Sequence, residues 1–529
     1  MPTRRDFLTT GAAALAWTRL PRPGNGPSAD LVLRRAAVFD GTGQPAFEAD
    51  VAVAAGRITA VGARLADRGT EEIDLAGLAL APGFIDIHSH GDGSLTEDAR
   101  AESVIRQGVT TIVVGQDGSS RRVGSFLDDI ESRIRPAVNV ASMVGLGSVR
   151  GEVVGPDDRP ATADELARMV AIVEQALADG ACGASTGLEY TPGGFATRDE
   201  LIALSRPLAA RRLPYSTHLR NEDDRLLDAL DEAVAVAAGA GCPLQVAHLK
   251  AQGPRNWGRM DDAFGRIEIA RRAGTDAAFD VYPYVAYQTG LTNLFPIWSR
   301  DGGTDVFLRR LDDPAVAGRI REETLAKVDL IGGWNSVLIS GVRAPADSAV
   351  EGRRLGDLSA ARAADPYQLT VELLRRSEGQ VGMVGFAMSE ENVERALAHP
   401  LSMVCSDGAA VAVDGPARRG HPHPRSLGSF PRVLGHYVRD RRVMPLAEAI
   451  HKMTARPAAR VHVSDRGRIA AGLAADLVAF NPATVADRAT YTDPFQYPAG
   501  IRLVLVNGAV TLRDGERTAA RAGRGLRAG

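Results

Sequence analysis

Ala81-Pro82-Gly83-Phe84-Ile85-Asp86-Ile87-His88-Ser89-His90 reads as a short buried strand that starts at a Pro-Gly turn and ends in two histidines. Strand side chains alternate, so His88 and His90 point one way and Ser89 the other. Two imidazoles on one side of a strand end can share a cation, and neutral imidazole suits zinc and similar metals. Two polar residues where a strand meets its loop would look the same, so the rest of the chain decides.

Downstream, the chain alternates strand and helix. Strand candidates are Phe84–Ile87, Thr110–Val114, Val138–Val144, Gly183–Ser185, Tyr215–Thr217, Leu244–Ala247, Thr275–Asp280 and Leu401–Cys405. Between them Glu165–Ala178 and Arg225–Ala238 carry apolar residues at helical spacing. Such alternation predicts a parallel sheet with crossover helices. Eight strands predict a closed (β/α)8 TIM-like barrel, with its active groups at the C-terminal strand ends. No Gly-rich phosphate loop follows the first strand, which counts against an open doubly wound sheet.

Both ends of the chain have another texture. Leu31-Val32-Leu33, Val51-Ala52-Val53 and Arg57–Val61 read as short strands, and so do Ala475–Phe480 and Ile501–Val506. They predict a small β-sandwich domain formed from both N- and C-terminal segments, residues 30–81 and 461–529, around a barrel at 82–460. An excursion at about 285–400 exceeds any ordinary loop and should cover the barrel mouth as a lid. Within it, Trp298 and Trp334 read as packing points.

At 529 residues and 45% hydrophobic, the chain exceeds one small core. A net charge of −3 offers no surface for nucleic acid, and no internal apolar run spans a membrane. Cys182, Cys242 and Cys405 form no disulfide framework, and Cys405 reads as a core thiol, with metal ligation as its alternative. Residues 1–29 read as a twin-arginine signal and linker: Thr3-Arg4-Arg5-Asp6-Phe7-Leu8, then a small apolar run, then a Pro/Gly stretch. That predicts a periplasmic or secreted protein with no stable membrane insertion once the signal is removed.

The strand ends carry the chemistry. The first gives His88 and His90, the second Asp117, and the fourth Glu189 and Tyr190. The fifth gives His218 and Arg220, the sixth His248 and Lys250, and the eighth Asp407. Four of the ten histidines standing at the same end of these strands, with acids at others, favours a metal site over isolated loop histidines.

This arrangement resembles the amidohydrolase superfamily, and more narrowly the N-acyl-D-amino-acid deacylases (D-aminoacylases). The specific parts are residues 81–90, Gly108-Val109-Thr110-Thr111, Ser185–Tyr190, Thr217–Glu222, Tyr282-Pro283-Tyr284, His423–Gly435 and Gly467–Val478. The resemblance implies one or two divalent ions, Zn2+ first. His88, His90 and Asp407 would hold one ion, and His218 and His248 a second, stronger site. Glu189 is the expected bridge, with a salt-bridging loop carboxylate as its alternative. Some relatives have a cysteine at Asp117, which is therefore a possible ligand only. Relatives commonly have a histidine at Leu146, so whatever substrate contact it supplies is missing here.

The implied reaction is hydrolysis of a small N-acylated D-amino acid. A divalent ion lowers the pKa of water to about 7 and polarises the carbonyl, and Asp407 would carry the proton to the leaving amine. Arg220, Lys250, Tyr190 and Tyr284 would meet the substrate carboxylate, since arginine grips carboxylates with a two-point fork. Lys250 and Arg220 neutralising the acidic ligands is the alternative. Other readings are a dihydroorotase-, hydantoinase- or isoaspartyl-dipeptidase-like enzyme, or a non-catalytic exported binding protein.

Overall fold

Gly83 decides how tightly the barrel starts. A Cβ there would lie 2.2 Å from the Thr110 hydroxyl, so only glycine lets the first strand enter against the second. A computed structural model describes residues 28–528. The twin-arginine leader lies outside the described residues.

Eight parallel strands follow in chain order: Phe84–Asp86, Val109–Val114, Asn139–Ser142 continuing into Val144–Gly145, Ala184–Gly187, Tyr215–His218, Leu244–Val246, Ala277–Val281 and Ser402–Val404. Each pairs with the next, as in Thr111↔Asn139, Ala184↔Tyr215, Leu244↔Ala277 and Phe279↔Ser402. The ring closes just past the first and last strands. Ser89 bridges Gly408, the Asp407 N–H donates to His88 O, and the His90 N–H donates to Gly408 O. The closing seam is thus made by the histidine and aspartate stretches themselves.

The helices between strands form where the pattern predicts. Ala163–Ala178 starts at a Thr162/Glu165 capping box, which satisfies free N–H groups of its first turn, and buries Met169, Val173, Ala176 and Leu177. Leu226–Ala240 buries Leu226, Leu230, Ala233 and Val236 on one face. Both pack outside the barrel around one continuous apolar core.

The small domain is a sandwich whose nine-stranded sheet uses both ends of the chain. Leu477–Phe480 pairs with Ala79–Pro82, joining the C-terminal strands to Ala29–Val38 and its neighbours. Leu31, Leu33, Val51 and Val53 share a core with Leu477, Ala479, Leu503 and Leu505. The last residues do something the sequence did not suggest. Gly525–Leu526 leaves this domain and adds a parallel strand to Asn139–Ser142 in the barrel wall.

The excursion after the seventh strand has structure of its own: an antiparallel sheet of Tyr287–Gly290, Val337–Val342 and Val381–Gly385, with helices around it. Trp298 donates to Glu323 and lies under Arg319, and neither it nor Trp334 lines the central cavity. Among the described residues no helix is long and apolar enough to cross a membrane.

Candidate metal centre

His88, His218, His248 and Asp407 are buried at the C-terminal mouth of the barrel, and all but His88 line, with the half-buried His90 and Asp117, a cavity of about 560 Å³. Two hydrogen-bonded layers set their positions. Asp86 accepts the N–H groups of Ser406 (2.8 Å) and His88 (3.4 Å), and Asp280 accepts the His248 N–H (2.8 Å). The loop carrying Asp117 is tied by Gly118 N–H to Ser185 Oγ and by Ser185 Oγ to Gly115 O. Gly187 gives this loop room, since a Cβ there would lie 2.3 Å from Asp117 O.

Three of the converging groups are held in left-handed backbone: Asp117 (φ 51°), His248 (φ 33°) and Asp407 (φ 51°). Such conformations cost about 1–3 kcal/mol each and persist where surrounding structure imposes them. Here they turn the side chains inward.

Asp117 occupies the middle. Its carboxylate lies 3.4 Å from His88 Nε2, 3.4 Å from His90 Nε2, 3.5 Å from His248 Nε2 and 3.7 Å from His218 Nδ1. Asp407 stands on the His88/His90 side, at 3.6 and 3.0 Å. Glu189, the bridge expected from sequence, approaches only His218 (3.6 Å) among the four histidines. Its oxygens accept the Glu222 N–H and the Asn293 side chain instead. The geometry therefore moves the central position from Glu189 to Asp117, and the reason is the left-handed turn at Asp117, which no residue pattern displays.

Charge is concentrated here. Burial opposes ionisation of Asp407, but the Arg425 guanidinium, 2.5 Å away, and the histidines hold its carboxyl well below the usual range. Burial likewise opposes the charge on His90 and His218, yet the surrounding carboxylates hold both imidazoles up at about 10. Four carboxylates, Asp117, Asp407, Glu189 and Glu222, thus call for cations. Meanwhile both ring nitrogens of His88, His218 Nε2 and Asp117 Oδ1 are buried with no hydrogen-bond partner. Orphaned polar atoms of this kind are costly. A cation set of imidazole and carboxylate donors resolves both, so the residues fit a divalent ion.

Of the residues expected at the substrate, Tyr190 and Lys250 line the cavity. The Tyr190 ring packs on His218, with centroids 4.8 Å apart. Lys250 Nζ donates to both Glu222 oxygens (2.6 and 2.8 Å), so it neutralises an acid beside His248. Arg220 and Tyr284 are not brought in. The Arg220 guanidinium forks onto Glu232 (2.8 and 3.0 Å) and binds the carbonyls of Gly194 and Ala196. Strand geometry ends at His218, so alternation no longer sets where Arg220 points. Tyr284 is turned away because its N–H bends back to Tyr282 O, and Tyr282 takes the cavity instead. Arg425 and Glu222 complete the lining. Both stood inside stretches carrying the resemblance, Thr217–Glu222 and His423–Gly435, without being singled out. Leu146 is buried in the core, and its neighbours Gly147 and Ser148 form the wall.

The sequence profile of the amidohydrolase family matches residues 71–512. D-aminoacylase of Alcaligenes xylosoxydans xylosoxydans is 35% identical over 520 residues, covering 94% of this chain and 97% of its own. The chain belongs to the amidohydrolase family. Within it, the chain falls in the D-aminoacylase group: N-acyl-D-glutamate deacylase from the same organism is 34% identical, covering 90% of this chain and 93% of its own. Among solved structures, N-acyl-D-glutamate deacylase from Bordetella bronchiseptica, complexed with zinc and a phosphonate inhibitor, superposes with a TM-score of 0.81 at 34% identity. That superposition covers 94% of this chain and all of the other (100%). As an amidohydrolase, the protein is a hydrolase of amide C–N bonds.

Proposed function

We propose that this amidohydrolase removes the acyl group from N-acyl-D-amino acids, giving a D-amino acid and a carboxylate, with zinc or a similar divalent ion bound. The observation that carries the reading is the mouth of the barrel. An ionised, buried Asp407 and a buried guanidinium face the same cavity as His90, His218 and His248, in a chain similar over nearly its whole length to deacylases of D-amino acids.

His88, His90 and Asp407 would hold one ion and His218 and His248 another, with Asp117 reaching both sets. When bound, a divalent ion supplies Lewis acidity, acidifying water and polarising a carbonyl. Asp407 takes the proton from the attacking water and hands it to the amide nitrogen, which leaves poorly unless protonated. Arg425 keeps Asp407 ionised for the first half of that transfer. His248 Nδ1 lies 2.7 Å from Lys250 Nζ and 3.2 Å from Glu222, so the Glu222–Lys250 pair anchors that side of the ring and leaves Nε2 facing inward toward Asp117. The lid residues Tyr287, Thr289 and Asn293 line the same cavity.

Recognition of the substrate carboxylate falls to Arg425 in place of Arg220. Its Nε is buried without a partner, and its Nη2 makes only a 3.3 Å bond to Gln288 O. Arg425→Met should raise KM for an acyl amino acid by about 10–100-fold, the worth of a charge-assisted pair, and leave KM for the matching acyl amide nearly unchanged. Arg220→Ala should affect both substrates alike, because it braces the 194–196 loop. A kcat loss shared by both substrates is expected from the Asp407 contact, whereas an equal rise in KM on both substrates for Arg425→Met would remove its carboxylate role.

The activity itself is tested by assaying metal-reconstituted protein on matched N-acyl-D- and N-acyl-L-amino acids and on cyclic amides. Hydrolysis of the D-series alone is expected, and turnover confined to cyclic amides would overturn the reading. We also propose export through the twin-arginine route, supported by Arg4-Arg5-Asp6-Phe7-Leu8 and the apolar run after it. Fractionation should recover a shortened chain outside the cytosol, and a full-length chain found only in the cytosol would refute it.

A further inference from the structure

We infer that Lys327 is a positioning residue of the active site: reaching in from the lid, its ammonium fixes the side chains that stand behind His248, so that turnover is coupled to seating of the lid. The inference rests on reading the barrel mouth as the hydrolytic site, and is independent of which amide is hydrolysed.

The sequence singles this residue out. Only three of the 62 Lys and Arg residues are lysines, Lys250, Lys327 and Lys452, and none of them is exposed. A chain that meets nearly all its need for positive charge with arginine keeps lysine where a compact ammonium is required in place of a planar fork. Lys452 shows one such place. Its Nζ donates to Leu397 O (2.6 Å), His399 O (2.8 Å) and Ser402 Oγ (3.0 Å) at the N-terminal end of the eighth strand, and none of these residues lines the cavity at the mouth.

The other two lysines meet through one glutamine. Lys327 stands on the lid helix Ala317–Leu330 and donates to Asp223 Oδ2 (2.6 Å) and Gln252 Oε1 (3.4 Å), both on the barrel. Gln252 Nε2 donates to Glu222 Oε2 (2.9 Å), and Glu222 accepts from Lys250 (2.6 and 2.8 Å). Lys250 Nζ in turn lies 2.7 Å from His248 Nδ1. The polarity of this chain of contacts has one solution. An ammonium only donates and an ionised carboxylate only accepts. The Gln252 amide between them must therefore turn its oxygen to Lys327 and its nitrogen to Glu222.

Asp223, Gln252, Glu222, Lys250 and His248 are all buried, where a polar group that loses its partner finds little water to replace it. Lys327 keeps 18% of its side chain exposed, against 8% for Asp223. Burial opposes its charge, but Glu189 and Asp223 outweigh that and keep the ammonium ionised. Lys327 does not line the cavity, so it acts on the substrate only through the groups it orients.

Lys327→Met is the test. At matched ion content its kcat should fall by about 10–100-fold, the usual effect of losing a group that orients a metal-binding histidine, while KM changes little. Loaded with Co2+, it should show a visible absorption spectrum different from that of wild type, because that spectrum reports the arrangement of donors around the ion. Asp223→Asn removes the same ion pair from the barrel side and should show both effects more weakly. Adding Lys327→Met to it should lower kcat no further than Lys327→Met alone, the mark of two residues acting through one contact. Lys452→Met is the control for a buried lysine elsewhere, and should lower the melting temperature with kcat and the Co2+ spectrum unmoved. Wild-type kcat and an unaltered spectrum in folded Lys327→Met, or a rise in KM alone, would overturn the inference and leave Lys327 a lid anchor. If Lys327→Met does not fold, the same readouts on Asp223→Asn decide. An altered Co2+ spectrum in Lys327→Met, in a protein inactive on acyl amino acids, would leave the positioning role standing and sink the substrate reading instead.

Discussion

Asp407→Asn should leave the fold intact and lower turnover by about a hundred- to ten-thousand-fold, the range that positioned proton transfer contributes. Asparagine keeps the size of the side chain and an oxygen for Arg425, which lies 2.5 Å from the present carboxylate. The seam Asp407 helps close is made by its backbone N–H to His88 O, which the substitution does not touch. A left-handed φ of 51° is also one that asparagine tolerates. What disappears is the proton acceptor. Burial disfavours a charged carboxylate, yet Arg425 and the facing histidines keep this one ionised, so its basicity is arranged and not incidental. Because Asp407 also stands 3.0 Å from His90, kcat must be compared at matched ion content. Loss of turnover with full ion content marks proton transfer, and loss that follows ion loss marks ligation. Wild-type turnover would end the assignment altogether.

The barrel was legible because its signal is local. A run such as Val109–Val114 is wholly buried and too short for a helix, and the residue types that punctuate successive runs are visible without coordinates. His88, His90, His218, His248 and Asp407 could be gathered from sequence for that reason, since each sits at or just past a strand end where the fold rule places active groups. Residues farther from a strand end were not. Arg220 and Arg425 are both arginines in motif stretches, and only the path of the chain separates them. One leaves a strand end toward Glu232, and the other returns from a long loop to face Asp407. Asp117 against Glu189 is a similar case. Both are acids just after a strand, and a positive φ at one of them decides which is central. The Gly525–Leu526 strand shows the limit for topology. Two residues paired with a strand 385 positions earlier leave no periodicity to read.

Removing bound ions with a strong chelator should abolish activity and lower the melting temperature, and adding zinc back should restore both. The first effect follows from the chemistry, since Asp407 alone cannot make water nucleophilic near neutral pH. The second follows from what the ion-free site must bear. Asp117, Asp407 and His248 hold left-handed backbones, four buried polar atoms of His88, His218 and Asp117 lack partners, and carboxylates crowd into one mouth. An ion that binds only the folded chain at a hundredfold excess over its Kd adds about 2.7 kcal/mol, which shifts the melting temperature of a large domain by several degrees. The seam places the strain where it matters for stability, because His90 and Asp407 carry the backbone bonds that close first strand to last. Loss of the ions should therefore loosen the closing edge of the barrel before its far side. Hydrogen exchange resolves this: protection should drop first in residues 87–91 and 405–409 and persist in Tyr215–His218. If verified ion-free protein kept its activity and melted unchanged, the imidazoles and carboxylates at this mouth would be a buried polar network and not a metal centre.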